Sequence, residues 1–167
     1  MKKNEYRACV SIILFNRLGK VLVAERNDVV KAAWQLPQGG VELGETLHAA
    51  ALRELREEIG TDEVEFLRQS TRWVKYDLPT KVLTKNWKHG WKGQNVRAIG
   101  FLFTGNEKSI NLMTSQPEFR AWKWVELEEI KSLIISFKKE LYENIFREFE
   151  PTRNILRKKF SQTSYEV

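Results

Sequence analysis

The stretch from Gly39 to Gly60 constrains this chain more than any other. It opens on a glycine pair, passes through a short loop and enters the clearest helix in the sequence, residues 46–59. Thr46 suits the N-cap, alanine and leucine fill the interior, and Gly60 supplies the stop. On a helical wheel Ala51, Leu52, Leu55 and Ile59 share one arc of about 100°, the face a core requires. Glu54, Glu57 and Glu58 fall in the neighbouring arc, Arg53 stands at its far edge, and Arg56 points away from both.

That glutamate cluster is unfavourable on local grounds. Glu54 and Glu58 are like charges at i,i+4, worth a few tenths of a kcal/mol against the helix. Glu57 and Glu58 lie in the last turn, where the helix dipole disfavours anions by about 0.3–1 kcal/mol. A bare E-x-x-E-E is most often a solvated acidic face. Here a glycine-rich loop precedes it, Glu45 stands at the helix entry, and Arg53 can brace a carboxylate one turn away. A bound divalent cation would reverse both penalties, and Mg²⁺ favours carboxylate oxygens together with substrate phosphates.

Around this helix the pattern alternates irregularly. Residues 8–15 are rich in Val and Ile and predict a strand, and a turn at 16–19 leads to a second strand over 20–26, forming a hairpin. Residues 34–40 predict a short strand running into a Pro/Gly loop. Further strands are expected at 70–78, 94–103 and 119–125, with a loop over 86–93. A second helix is expected at 136–150, with Phe137, Leu141, Ile145 and Phe149 at four-residue spacing, ending at Pro151. The fold class that follows is α+β, an α/β/α sandwich with a mixed β-sheet between helices. Residues 1–150 form a single domain in this reading, and 151–167 a basic, fraying C-terminal tail.

With 167 residues, 42% of them apolar, the chain can bury a core. Its net charge of +6, from 28 Lys/Arg against 22 Asp/Glu, favours polyanionic partners. The one cysteine, Cys9, sits in an apolar run and cannot form an internal disulfide, which suits a reducing compartment. Lys2 and Lys3 precede a short apolar stretch with no small-residue cleavage site, and no run approaches a membrane span. A cytoplasmic protein with no membrane partner is expected. His48 and His89 have no metal-binding partner at sensible spacing and are assigned no role.

Gly39, five residues, Glu45, seven residues, and then Arg53-Glu54-Leu55-x-Glu57-Glu58-x-Gly60 resembles the Nudix box. Thr61 stands where the box normally closes on an aliphatic residue, a departure that touches packing rather than chemistry. The resemblance implies that Glu54, Glu57 and Glu58 bind two or three Mg²⁺, with Mn²⁺ as an alternative. It implies that a backbone carbonyl of the Gln38–Gly39 turn completes a metal shell, that Glu45 and Arg53 form a supporting pair, and that Leu55 packs inward.

Further segments occur in a telling order: Trp34-Gln-Leu-Pro-Gln-Gly-Gly40, Ser70-Thr-Arg-Trp73, Tyr76-Asp-Leu-Pro79, Gly93-Gln94, Pro117-Glu-Phe119, Trp122-x-Trp124-Val125 and Ser136-Phe-Lys138. Together, over roughly residues 6–149, they resemble the bacterial RNA pyrophosphohydrolases and the related dinucleoside polyphosphate hydrolases. By that resemblance Glu118 faces the metals as an extra ligand or base, and Arg7 and Arg26 contact an RNA 5′ end. Phe137 lies near a base and Lys138 can meet a phosphate, while Tyr76 can hydrogen-bond one. One departure concerns the base-binding surface: relatives often carry an aromatic after the basic residue of the Gly-Gln stretch, where Arg97 is followed by Ala98-Ile99-Gly100.

The residues themselves point the same way. Seven Lys/Arg and one acid, Asp77, lie from Arg72 to Arg97, interleaved with Trp73, Tyr76, Trp87 and Trp91. Cations mixed with rings suit a strand of nucleotides; an ordinary solvated loop with core aromatics is the alternative. The expected activity converts a 5′-triphosphate or diphosphate RNA end to a monophosphate and so triggers decay. Hydrolysis of dinucleoside polyphosphates and a non-catalytic RNA-binding module are the rivals. The intact glutamate set speaks against the last. No DNA partner is expected, and a monomer is favoured.

Overall fold

A computed structural model of the chain describes residues 5–28, 31, 33–80, 90–133 and 136–162. The expected 86–93 loop, Trp87 and His89 lie wholly or largely outside these. Among the described residues eight strands join one mixed sheet: β1 (Tyr6–Phe15), β2 (Val21–Arg26), β3 (Trp34–Gln35), β4 (Gln38–Gly40), β5 (Val64–Gln69), β6 (Val74–Asp77), β7 (Gly93–Phe103) and β8 (Phe119–Val125). Among the described residues the α-helices that flank it are α1 (Leu47–Ile59) and α2 (Lys139–Gln162).

The long strands at the centre, β1 and β7, run parallel from Tyr6↔Gly93 to Phe15↔Leu102, and every other pairing is antiparallel. Side chains alternate across β1, so the strand feeds two cores. Val10, Ile12 and Leu14 pack with Ala51, Leu55 and Ile59 of α1. Cys9, Ile13 and Phe15 pack with Leu141, Ile145 and Phe149 of α2. This is the expected sandwich.

The free edge of β1 is divided between two partners. At its end Phe15 pairs with Val21 of β2, whereas Cys9, Val10 and Ser11 pair with β4. The sheet therefore splits beside Gly39 and Gly40, and α1 enters next to the split. The helix forms where expected: the Thr46 hydroxyl accepts from the Ala49 amide at 3.1 Å, and Gly60 ends it with φ 76°. Thr61 replaces an aliphatic residue without loss of burial, since its hydroxyl accepts from the Glu63 amide at 3.2 Å.

Three expectations change. The strand expected over 70–78 is shorter, because the buried Ser70 hydroxyl accepts from the Ala98 amide at 3.0 Å and turns the chain before β6. An unexpected strand, β5, precedes it; its residues, half-buried apart from the exposed Glu65 and Phe66, carry no clean alternation. The second helix does not stop at Pro151 but continues to Gln162. An interior proline costs about 3 kcal/mol, yet the turns beyond it are held by packing. Leu156 is buried, and buried Arg153 pairs with Glu128 and, at 3.5 Å, with Glu150. Among the described residues no helix is long and apolar enough to cross a membrane.

Candidate active site

The split in the sheet brings the α1 glutamates against the glycine turn. Gly39 sits so close to Glu54 that any side chain there would overlap the carboxylate. Glu58 lies behind it, almost fully buried, and accepts from the Gln38 amide at 3.0 Å. Glu57, on the same helix, faces solvent. Leu55 points into the α1-side core, as expected.

Arg53 organises this side. Its guanidinium donates to both Glu45 oxygens at 3.0 Å, to Glu54 at 2.7 Å, to Glu57 at 3.2 Å and to the Gly40 carbonyl at 2.7 Å. The expected pairing of Glu45 with Arg53 is present, and it lowers the Glu45 carboxyl below the usual range. One planar cation thus ties the helix entry, the glutamate arc and the glycine turn together.

Burial pushes the Glu58 carboxyl well above its ordinary range, with further upward contributions from Glu118 and Glu54. Glu54 is also raised, again chiefly by burial, although Arg53 opposes this. Two buried carboxylates that repel each other lack sufficient positive charge. Among the described residues no three acidic, histidine or cysteine side chains already converge as a ready cage. The donor set nonetheless fits a divalent cation: hard oxygens, raised carboxyl pKa values, and a glycine that leaves the Glu54 carboxylate room beside the backbone.

Across the cleft the wall is cationic. Arg26 ends β2, where Nε and Nη2 pair with Asp28 at 2.7 and 2.5 Å. Glu118 is exposed on the neighbouring segment, its carbonyl accepting from the Asn27 amide at 3.0 Å. Its charge acts on Arg26 and Glu58. The Arg7 guanidinium lies against Gly40, where any side chain would collide with it, and 5.7 Å from the Trp91 ring centroid.

Lys138 is buried, and its ammonium donates to Gln38 Oε1 at 3.0 Å. Burial, then Arg26, pushes its pKa down to about 8. Phe137 is half-buried, its ring 5.8 Å from that of Tyr76. Tyr76 is buried rather than open to a phosphate, and its hydroxyl donates to Gln94 Oε1.

Two residues that sequence reasoning passed over complete this wall. Gln38 donates from Nε2 to Gln94 Oε1 at 3.2 Å, accepts from Lys138, and offers its own amide to Glu58. Gln38 and Gln94 thereby join the cationic wall to the carboxylate side. Both lie inside the quoted segments, but nothing local marks their amides.

The basic aromatic stretch is not one stripe. Tyr76 and Gln94 face the α2-side core, Lys75 faces the other way, and residues 81–89 lie outside the described ones. His48 is exposed and set edge-on to two rings, its centroid 5.7 Å from Phe66 and 5.5 Å from Phe101.

An α/β/α sandwich with two buried carboxylates beside a glycine turn, facing a cationic wall, can hold a divalent cation against an anionic ligand. The comparisons with known proteins specify the class. The NUDIX domain family matches residues 5–145. The RNA pyrophosphohydrolase of Wolbachia pipientis subsp. Culex pipiens is 43% identical over 149 residues, 89% of this chain and 91% of that protein. That of Dinoroseobacter shibae is 42% identical, over 86% of this chain and 91% of its own length. Among solved structures, the E. coli dihydroneopterin triphosphate pyrophosphohydrolase superposes with a TM-score of 0.65 at 20% identity, covering 87% of this chain and 99% of that one. A C. elegans Ap4A hydrolase does so with a TM-score of 0.62 at 18% identity, covering 87% and 98%. The chain belongs to the NUDIX family, whose hydrolases generally need divalent metal ions.

Proposed function

We propose that this chain is an RNA pyrophosphohydrolase, which removes pyrophosphate or successive phosphates from 5′-triphosphate or diphosphate RNA ends to leave a 5′-monophosphate. The observation that carries the reading is the pair of buried, mutually repelling carboxylates Glu54 and Glu58 at Gly39, facing Arg7, Arg26 and Lys138. Relatives at 42–43% identity bearing the name RNA pyrophosphohydrolase support the choice of substrate.

In this reading Glu54, Glu57, Glu58 and Glu118, with a backbone carbonyl at Gly39, would hold Mg²⁺, or Mn²⁺ in its place. Cations held there would supply positive charge for the phosphate oxygens and lower the pKa of a nucleophilic water. Arg53 and Glu45 hold the glutamate arc in place. Water attacks phosphorus, the bond to the bridging oxygen breaks, and the departing phosphate leaves with that oxygen. Glu118, exposed at the rim, serves as a further ligand or takes the proton of the attacking water. Arg7, Arg26 and Lys138 offset the charge of the phosphate chain. Phe137, set against Tyr76, offers a ring to the first bases, while Tyr76 acts through Gln94.

The test is a paired assay with Mg²⁺: release of pyrophosphate or phosphate from 5′-triphosphate RNA beside cleavage of diadenosine tetraphosphate. The expected result is faster turnover of the RNA end. Much faster cleavage of the dinucleotide would overturn the substrate and leave the metal chemistry standing.

A further inference from the structure

The α1-side core reaches Val10 on β1 and Ile99 on β7. Towards the starts of the strands, the same side of the sheet carries side chains of another kind. Tyr6, Gly93 and Asp77 share one register, as do Ala8, Asn95 and Lys75, and Arg97 lies beside Val10. Register partners point the same way, so Tyr6, Lys75, Asn95 and Arg97 face the α1 side beyond the core.

Two rings on this surface bear cations. The Tyr6 ring has the Lys75 ammonium 5.3 Å and the Lys92 ammonium 5.0 Å from its centroid. Trp73, 42% exposed, has the Arg97 guanidinium at 6.0 Å. The nearby acids are already engaged: Asp77 accepts from the Tyr6 hydroxyl at 2.8 Å, and Glu5 pairs with Lys92 at 2.8 Å. Lys75 forms no ion pair among the described residues.

Arg7 and Trp91 are the chain neighbours of Tyr6 and Lys92, and Arg7 lies against Gly40 at the cleft. A strand turns successive side chains to opposite faces, and Tyr6 opens β1, so a ligand passing from Arg7 to Tyr6 rounds the end of that strand.

We infer that the surface formed by Tyr6, Trp73, Lys75, Lys92 and Arg97 binds the single-stranded body of an RNA whose 5′ end lies in the cleft. The exposed Trp73 ring can accept any base by stacking while the cations gathered around Tyr6 and Trp73 meet phosphates, and this combination serves single strands rather than duplexes. The inference rests on the RNA reading of the cleft, and it predicts a dependence on RNA length that the cleft alone does not.

Trp73→Ala and Lys75→Ala, both at exposed positions, test it. On a single-stranded 5′-triphosphate RNA of about twelve nucleotides, Trp73→Ala should raise KM by about fivefold or more, since a base stack contributes that much by alanine substitution, and Lys75→Ala should raise KM with a flatter salt dependence. On a 5′-triphosphate dinucleotide, kcat and KM should stay as in the unaltered protein. Equal effects on the two lengths, or none on either, would overturn the proposal.

A binding measurement separates this inference from the activity. A 5′-hydroxyl single-stranded dodecamer should bind the unaltered protein more tightly than Lys75→Ala, with a steeper salt dependence. If 5′-triphosphate RNA proved a poor substrate while this difference held, the surface would stand and the assignment of the cleft would fall. If polyglutamate competed as well as the dodecamer, the surface would be a site for acidic protein and the proposal would fall.

Discussion

The two walls of the cleft differ in how they are built. The carboxylate wall comes from one continuous piece of chain, Gly39 to Gly60, and Arg53 holds it through five contacts that all lie within that piece. The cationic wall is assembled from β1, β2, β4, β6, β7 and the approach to α2. Its central contact joins Gln38 to Lys138 across 100 residues of chain. A wall made within one helix and its entry loop needs little from the rest of the fold. A wall made from six segments exists only when the sheet and α2 are docked. The first should tolerate distant changes, and the second should respond to them.

Breaking the first wall should have the largest effect. Glu58→Gln keeps the size of the side chain and an acceptor for the Gln38 amide but removes the charge. Altering residues that merely orient metal ligands costs about 10–100-fold, so removing a ligand should lower turnover by more than about 100-fold. Steady-state kinetics with Mg²⁺, beside a melting curve showing an intact fold, measures this. Near-normal activity would mean that the metal chemistry lies elsewhere in the cleft.

Breaking the second wall should do less, and differently. Lys138→Met preserves length while removing the ammonium that bonds Gln38. A hydrogen bond to a charged group contributes about 1.5–3 kcal/mol, so a rise in KM of about tenfold or more is expected, with the Mg²⁺ dependence of the rate little changed. A large shift in the Mg²⁺ concentration needed for half-maximal rate would show that the Gln38 network controls the carboxylate wall too, and that the two walls are one unit.

This contrast also explains what could be read from the residues alone. The glutamate arc, with Arg53 at its edge, was legible because helix periodicity translates directly into geometry, whereas the Glu45–Arg53 pair and the role of Gly39 entered by resemblance. The sandwich was legible because strands outnumber helices and alternate with them irregularly along the chain, and the apolar run through Cys9–Phe15 proves to be a strand buried on both faces. Lys138 and Arg26 entered by resemblance, and the structure places both on the wall facing the glutamates. The amides of Gln38 and Gln94 were missed, for a glutamine in a strand announces no partner until the fold supplies one. Tyr76 was expected to be open to a phosphate, but strand alternation turned it inward beside Val74. Pro151 misled in the opposite direction: a local rule ended the helix, and the packing of Leu156 and Arg153 overrode it.

The smallest effect concerns stability without metal, and its sign distinguishes the walls. Glu58 and Glu54 are held above their ordinary range by burial. Below the unfolded carboxylate range both are neutral in the folded and unfolded chain, and the site costs nothing. As pH rises, the unfolded chain ionises first, and folding must then keep these groups protonated or bury their charge. The carboxylate wall therefore subtracts stability increasingly from about pH 4.5 towards neutrality. Other groups, such as Glu45, Glu25 and Glu128, have lowered pKa values and act in the opposite direction, so the whole-protein profile mixes the two. The difference between Glu58→Gln and the unaltered chain isolates the wall. In EDTA the variant should melt higher, by about 2–4 °C for each kcal/mol relieved, and the gap should widen between pH 5 and pH 7.5. With Mg²⁺ added, binding stabilises the unaltered chain more than the variant, and the gap should close or reverse. A gap independent of both pH and Mg²⁺ would mean that burial of Glu58 carries no electrostatic cost, and that no cation is needed to balance it.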